Sequence, residues 1–317
     1  MLLLNNSRMV YLMSTQFTDL WTHAGTFHAD EVFATAMLLT LQPNAAVHRV
    51  NAVPADIDTA ADNGAIVYDI GGGRFDHHQR GGNGARENEV SYASAGLIWQ
   101  HFGAEIIATA QTSADTDLQR VVDNVDKRLI QGLDLQDTGE LQDAGVAMTV
   151  GTAIANFNPG WDSNDDANTR FDEAVHVAAM ILENTINRAL GSLKAEVIVK
   201  ASLATATDGL LVLNRYLPYQ GVLFDLADDT ILVVVYPSNR GGYNWKVTNV
   251  EPHSFEAKIL APENWRGLKD AELQAVTGVA TASFVHTAGF IGGAQTLADT
   301  IKMAQLIITQ NEKPGLA

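Results

Sequence analysis

The stretch FTDLWTHAGTFHADEVFATAMLLTL, Phe17 to Leu41, decides how this chain folds. FTDLWT (17 to 22) reads as a short strand, His23 to Ala29 as a turn, and Asp30 to Leu41 as a helix with Val32, Phe33, Ala36 and Leu39 or Thr40 on one face. Pro43 and Asn44 stop that helix. Further strands are expected at Ala46 to Val50 and at AIVYDI, Ala65 to Ile70, closed by three glycines, with a short helix between them from Asp56 to Asp62. Strand alternating with helix predicts an α/β protein built on a doubly wound, mostly parallel sheet, where ligands bind beyond the carboxyl ends of the strands. His23 and Asp69 both fall at such ends.

Working outward, a helix is expected from Tyr92 to Phe102, ended by Gly103, and another from Asp115 to Gln131, followed by a loop that carries Asp134 and Asp137. Asn156 to Asn168 is rich in turn formers. Arg170 to Leu190 is a helix whose Phe171, Val175, Ala178 and Leu182 form a packing stripe. Near Gly191 the pattern changes: LLVLN, TILVVVYP and YNWKVTNV are strand-like, and Ala271 to Thr277 and Thr296 to Thr309 helical. The expected domains are residues 14–190 and a second, smaller mixed α/β domain, residues 191–317.

The 317 residues suffice for two domains at ~150 residues each. A net charge of −17 argues against a broad basic groove for long nucleic acid and leaves short or locally held phosphate substrates. The absence of cysteine excludes disulfides, thiolate zinc sites and a cysteine nucleophile, and fits a reducing compartment. No apolar run reaches the ~18 residues of a membrane span, and residues 1–13 lack the form of a signal peptide, so they read as an extension or an upstream start before Met13. A cytoplasmic location without a membrane partner is expected.

Four of the nine histidines, His23, His28, His77 and His78, lie beside acids in HAGTFHAD and FDHH. A single strand-end histidine is ordinarily a structural hydrogen bonder. Four of them with Asp30, Asp69 and Asp76, all placed on strand-end loops, predict a divalent-metal site of imidazole and carboxylate. His23 and His28 can converge only through a tight turn, which Gly25 permits. DIGGGRF lacks the G-x-G-x-x-G spacing and opens no helix, so a dinucleotide site is rejected.

The ordered pieces THAGTFHADE (22–31), VYDIGG (67–72), FDHHQRG (75–81), SAGLIWQHFG (94–103), LAPENWRGL (260–268) and FVHTAGFIGG (284–293) resemble the melanocyte-proliferating-gene exonuclease family. That family is related to the DHH (Asp-His-His) phosphoesterase superfamily. The resemblance covers most of the chain. It implies a DHH-phosphoesterase-like first domain and two divalent cations, manganese first with magnesium or zinc as alternatives, used to hydrolyse a phosphoester. One ion would take His23, His28 and Asp69, and the other Asp30, the bridging Asp69, His77 and an acid of GLDLQDTGE. For that acid Asp137 is favoured over Asp134.

Catalysis is then expected to rest on Asp69, His77, His78 and Asp30, with Asp76 orienting His77. His78 serves as a substrate contact or as a hydrogen bonder behind the ligands, and Arg80 is a weaker phosphate contact. His28 stands where most superfamily members carry aspartate, and the added imidazole favours manganese over magnesium. In the second domain the resemblance implies substrate contacts from His286, and Gly292 and Gly293 precede a helix start that can bind an anion, although glycines before a helix are equally plain turn chemistry. Arg266 can pair with a phosphate, while Trp265 reads better as core. Ser94, Asn156 and Asn158 are placed near the site by the resemblance alone.

The expected function is a metal-dependent phosphodiesterase or exonuclease acting on short single-stranded RNA or oligonucleotides. The alternatives are hydrolysis of a small phosphate compound (cyclic dinucleotide, pyrophosphate or nucleotide) and a metal-binding protein without turnover. A homodimer is compatible with each.

Overall fold

The computed structural model describes residues 16–61, 64–110, 116–141, 148–252 and 254–311. It is an α/β protein that divides into two compact units, Met1–Leu190 and Gly191–Ala317. Residues 1–13 lie outside the described residues.

The first unit holds a parallel three-stranded sheet of order β2-β1-β3, formed by β1 Phe17–His23, β2 Ala46–Val50 and β3 Gly64–Val67. Because both neighbours run parallel to β1, all three carboxyl ends share one edge, and β1 delivers His23 there from the centre. Helix α1, Ala29–Leu41, is buried at every residue from Ala29 to Leu38, not along one face. It packs against α2 (Ser94–Thr109), α4 (Gln131–Asp137) and α5 (Val150–Ala155) as well as lying close to the sheet edge. A helix enclosed in this way needs no polar stripe.

Several expected elements differ. No helix forms over residues 56–61, where separate turns close instead, Ile57 N–H on the Pro54 carbonyl and Ala60 N–H on the Asp58 carboxylate; a short aspartate side chain competes with helical bonding in this way. Asp62 lies outside the described residues. β3 ends at Val67 because Asp69 turns to a left-handed φ of 58°. Gly103 does not end α2, which runs on to Thr109; a Cβ there would stand 3.0 Å from the Trp99 ring, so this glycine serves packing. α3 (Leu118–Val125) continues through a π-turn, Asp126–Ile130, directly into α4, which makes Asp134 and Asp137 helical and not loop residues. α6 runs from Ala167 to Leu203, beyond both expected ends.

The second unit carries a five-stranded sheet of order β4-β5-β6-β8-β7: Leu210–Val212, Val233–Pro237, Tyr243–Val247, Ile291–Ala294 and Ala282–Val285. β4 and β5 are parallel, and the other pairs antiparallel. The unbroken VVVY of β5 is explained by burial of both faces. Val233 and Val235 join Trp245, Met303 and Ile307, the last two from α9 (Leu297–Asn311); Val234 and Tyr236 join Val199 and residues of α7 (Tyr219–Asp225). α8 spans Asp270–Thr277. FVHTAGFIGG forms the β7–β8 hairpin, so Gly292 and Gly293 are strand residues and not the approach to a helix. No helix among the described residues is long and apolar enough to cross a membrane.

Gly292 pairs with Trp245 across the sheet, and a Cβ would lie 2.5 Å from that ring and 2.6 Å from the Phe284 carbonyl oxygen. Gly292→Ala is therefore expected to destabilise the fold by about 2 kcal/mol in urea titration. Gly191→Ala, inside α6 with nothing within 4 Å of the new methyl, is expected to stabilise it by about 0.5–1 kcal/mol.

Candidate metal centre

The turn from His23 to His28 is held from two sides. Gly25 adopts φ +89°, and its carbonyl accepts from Arg49 Nη2 at 2.7 Å. Asn158 accepts the Phe27 N–H through Oδ1 at 2.9 Å and donates from Nδ2 to the Phe27 carbonyl at 2.7 Å. These bonds set the rings of His23 and His28 6.1 Å apart, centroid to centroid. His28 is the N-cap of α1, and its N–H donates to both Glu31 carboxylate oxygens at 2.9 and 3.0 Å. Asp30 and Glu31 thus occupy the first turn, where the helix dipole favours negative charge.

Asp69 reaches the same edge from β3. Its left-handed backbone, uncommon for a residue with a Cβ, is closed by its own N–H donating to the Phe75 carbonyl at 3.1 Å. This closure returns Asp76, His77 and His78 to the strand ends. Ser94, at the start of α2, donates to Asp69 Oδ1 at 2.9 Å. His23 Nε2 lies 3.0 Å from Glu31 Oε1 and 3.2 Å from Asp69 Oδ2. His77 Nδ1 lies 3.3 Å from Asp69 Oδ1 and 3.9 Å from Asp30 Oδ2, and its Nε2 lies 2.9 Å from Asp137 Oδ2.

These side chains form overlapping groups whose ligand atoms lie within 4.8 Å of one another: His23, His28 and Glu31; His28, Asp30 and Asp137; Asp30, Glu31 and Asp69; and Asp69, Asp76, His77 and His78. Asp30 is fully buried and neither carboxylate oxygen has a hydrogen-bond partner. An unpartnered buried carboxylate costs several kcal/mol unless a proton or cation meets it. Imidazole and carboxylate donors converging on that atom are a set that fits a divalent transition metal.

The charges respond accordingly. Burial, then the carboxylates of Asp69, Glu31 and Asp137, push the Asp30 carboxyl well above its ordinary range. Hydrogen bonds to Asp69 and Glu31 outweigh burial and hold the His23 imidazolium to about 10. For His77, burial acts downward, but Asp137 and Asp69 raise it overall. Burial acts upward on Asp137, yet the hydrogen bond to His77 and the charge of that imidazole leave it below the usual carboxylate range.

The remaining expected residues divide. Asp134 is not with the ligand cluster: it is buried, accepts the Gly96 N–H at 2.9 Å and pairs with Arg86 at 2.8 Å, an arrangement that fixes α2 against α4. Burial, opposed by Arg86, still pushes it up to about 7. Asp76 does not orient His77; it accepts the Gly72 N–H at 2.6 Å and the His78 N–H at 3.0 Å, and lies 2.9 Å from His78 Nδ1. His78, with its side chain 61% exposed, borders a cleft of about 530 Å³ together with His28, His77, Gln136 and Asp137. Arg80 is exposed.

In the second unit, His286 is exposed and its Nδ1 accepts the Ala288 N–H at 3.1 Å. Arg266 donates to the Ala261 carbonyl at 2.8 Å, and Trp265 is buried in the core. Gly292 and Gly293 are buried between strands. Glu31, absent from the expected ligands, is the main addition; an acid three residues after the N-cap histidine is its only sequence signal. Arg49 carries no local motif, because its target is a carbonyl 24 residues away.

Residues 19–308 match the model of the MYG1 exonuclease family, described as an uncharacterised protein family (UPF0160). The MYG1 protein of Schizosaccharomyces pombe is 31% identical over 90% of this chain and 95% of its own length. Proteins named MYG1 exonuclease from Mus musculus and Homo sapiens are each 29% identical, over 92% and 91% of this chain and 85% of their own lengths. No solved structure matches.

With metal stripped by chelator, folded His23 keeps a proton, up to a pH of about 10, that an unfolded chain releases near 6.5. Stability from this group is complete below pH 6.5 and is lost as pH rises through about 10. Urea titrations across that range are expected to show stability falling by up to about 1.4 kcal/mol per pH unit, and Asp69→Asn to flatten the slope.

Proposed function

The chain belongs to the MYG1 exonuclease family, and from that premise we propose that it is a metal-dependent phosphodiesterase that shortens single-stranded RNA or short oligonucleotides from one end. The observation that carries this reading is Asp30, a buried carboxylate with both oxygens unpartnered, set among Glu31, Asp69, Asp137 and the imidazoles of His23, His28 and His77. That much buried negative charge, arranged as ligands, calls for cations. The names of the mouse and human relatives supply the class of reaction.

We assign His23, His28 and Asp69 to one cation, with Glu31 beside them, and Asp30, Asp69, His77 and Asp137 to a second, Asp69 being shared. Imidazoles in both sets favour manganese, with magnesium and zinc as the alternatives. When bound, a cation pair draws charge from the phosphate oxygens and acidifies an attacking water. His78, held through Nδ1 by Asp76 and open to solvent, is positioned to touch the phosphate or the leaving oxygen, and Arg80 is its weaker companion. Arg266 and His286 are proposed substrate contacts of the second unit; strand burial of Gly292 and Gly293 assigns those two to packing. The three parallel strands with the site on their carboxyl edge support a doubly wound, DHH-phosphoesterase-like core. The net charge of −17 favours short strands, and the cysteine-free composition favours the cytoplasm.

Metal-stripped protein given back manganese, magnesium or zinc is expected to shorten end-labelled single-stranded RNA stepwise, and manganese to be the most effective. Asp69→Asn is expected to lower the rate at least about 100-fold, beyond the loss typical of residues that only support ligands. Intact RNA alongside hydrolysis of a cyclic dinucleotide or pyrophosphate would move the substrate to small phosphates, and no hydrolysis of any phosphoester would end the enzymatic reading.

A further inference from the structure

The second unit has a cleft of its own, of about 730 Å³, within the range of small-ligand sites. Its walls come from the residue stretch after β4 (Tyr216), the end of β5 (Tyr236), the β5–β6 turn (Arg240), the start of β6 (Tyr243), the residue before α8 (Lys269) and β7 (Phe284). We infer that this cleft binds one nucleotide unit of a short single strand, its base stacked on Tyr216 and its phosphate held by Arg240 and Lys269. The identity of the strand rests on the phosphodiesterase reading above.

Composition carries the inference first. The chain has 37 Asp and Glu residues, yet none lines this cleft, and its two charged residues are both cations. Arg240 and Lys269 are exposed, and among the described residues neither forms an ion pair. On a surface so acidic, a carboxylate-free recess with two uncommitted cations is the place where an anion is not repelled.

The aromatic walls supply the rest. Tyr216 is 59% exposed and is backed edge-on by the buried Tyr236, ring centroids 5.2 Å apart and planes at 60°. Every base offers a π-face, so a propped, solvent-facing ring beside cations binds single strands without regard to sequence. Burial pushes the Tyr236 hydroxyl up to about 12, so it adds no negative charge to the wall. Gly293 is explained by packing, since a Cβ would fall 2.5 Å from the Tyr243 carbonyl oxygen and 3.0 Å from Asn244 Oδ1.

The test is fluorescence anisotropy of a short labelled single-stranded RNA with the full chain in chelator, so that nothing is cut. Tyr216→Ala is expected to weaken binding roughly tenfold, Tyr216→Phe to leave it unchanged, and Arg240→Glu with Lys269→Glu to weaken it further and reduce its salt dependence. All three sit on exposed positions, and hydrolysis of bis(p-nitrophenyl) phosphate with manganese is measured in parallel. Binding that stays within twofold of wild type in both the Tyr216→Ala and the charge-reversed proteins overturns the proposal, even if the small diester is still cut. Binding that depends on Tyr216 without any diester hydrolysis upholds the cleft and removes the phosphodiesterase reading. Displacement of the RNA by adenosine monophosphate at equal concentrations reassigns the cleft to free nucleotides.

Discussion

Asp30, Glu31 and Asp69 are buried within reach of one another at the carboxyl edge of a three-stranded sheet, and like charges held in a low dielectric repel strongly. The surrounding structure is arranged to keep them there. Asp69 accepts a left-handed backbone, Ser94 hydrogen-bonds it, the α1 N-terminus takes Asp30 and Glu31 into its positive end, and His23 and His77 bring protons. What compensates the charge is exchangeable: a cation can take the place of the protons, and a site built in this way couples metal binding to proton release.

Rigidity around the cluster comes from elements distant in sequence. Arg49 on β2 and Asn158 beyond α5 grip the backbone of the His23–His28 turn through Gly25 and Phe27, so two imidazoles that could not share a helix face meet across a turn. Helix α1 is buried all round between its neighbours, which leaves its first residues no freedom to withdraw from the site. Asp134 acts at one remove: paired with Arg86 and bonded to the Gly96 N–H, it ties α2 to α4, the helix whose last residue, Asp137, meets His77.

Much of this was legible in the chain itself. The strands at 17–22 and 46–50 and the helix from 30 to 41 follow from hydropathy period and punctuation, and the histidines and acids grouped at strand ends in the sequence are the ones the fold brings into one cluster. Errors fell where period and punctuation mislead. Gly103 looks like a helix stop but accommodates Trp99; Asp134 and Asp137 look like loop acids but continue a helix through a π-turn; Gly292 and Gly293 look like an anion-binding approach to a helix but are squeezed between strands. In each case the deciding contact lies in another element.

The sequence by itself determined the class of fold, the strand edge at which chemistry gathers, and the donor types available there, because local hydropathy and residue chemistry are properties of neighbours in the chain. Only the tertiary structure decided which acids stand together: that Asp137 reaches His77 while Asp134, three residues earlier, turns to Arg86, that Asp76 serves His78, and that Glu31 joins the cluster. Helical phase and the approach of distant backbone set those pairings, and neither is written in the spacing of the residues they join.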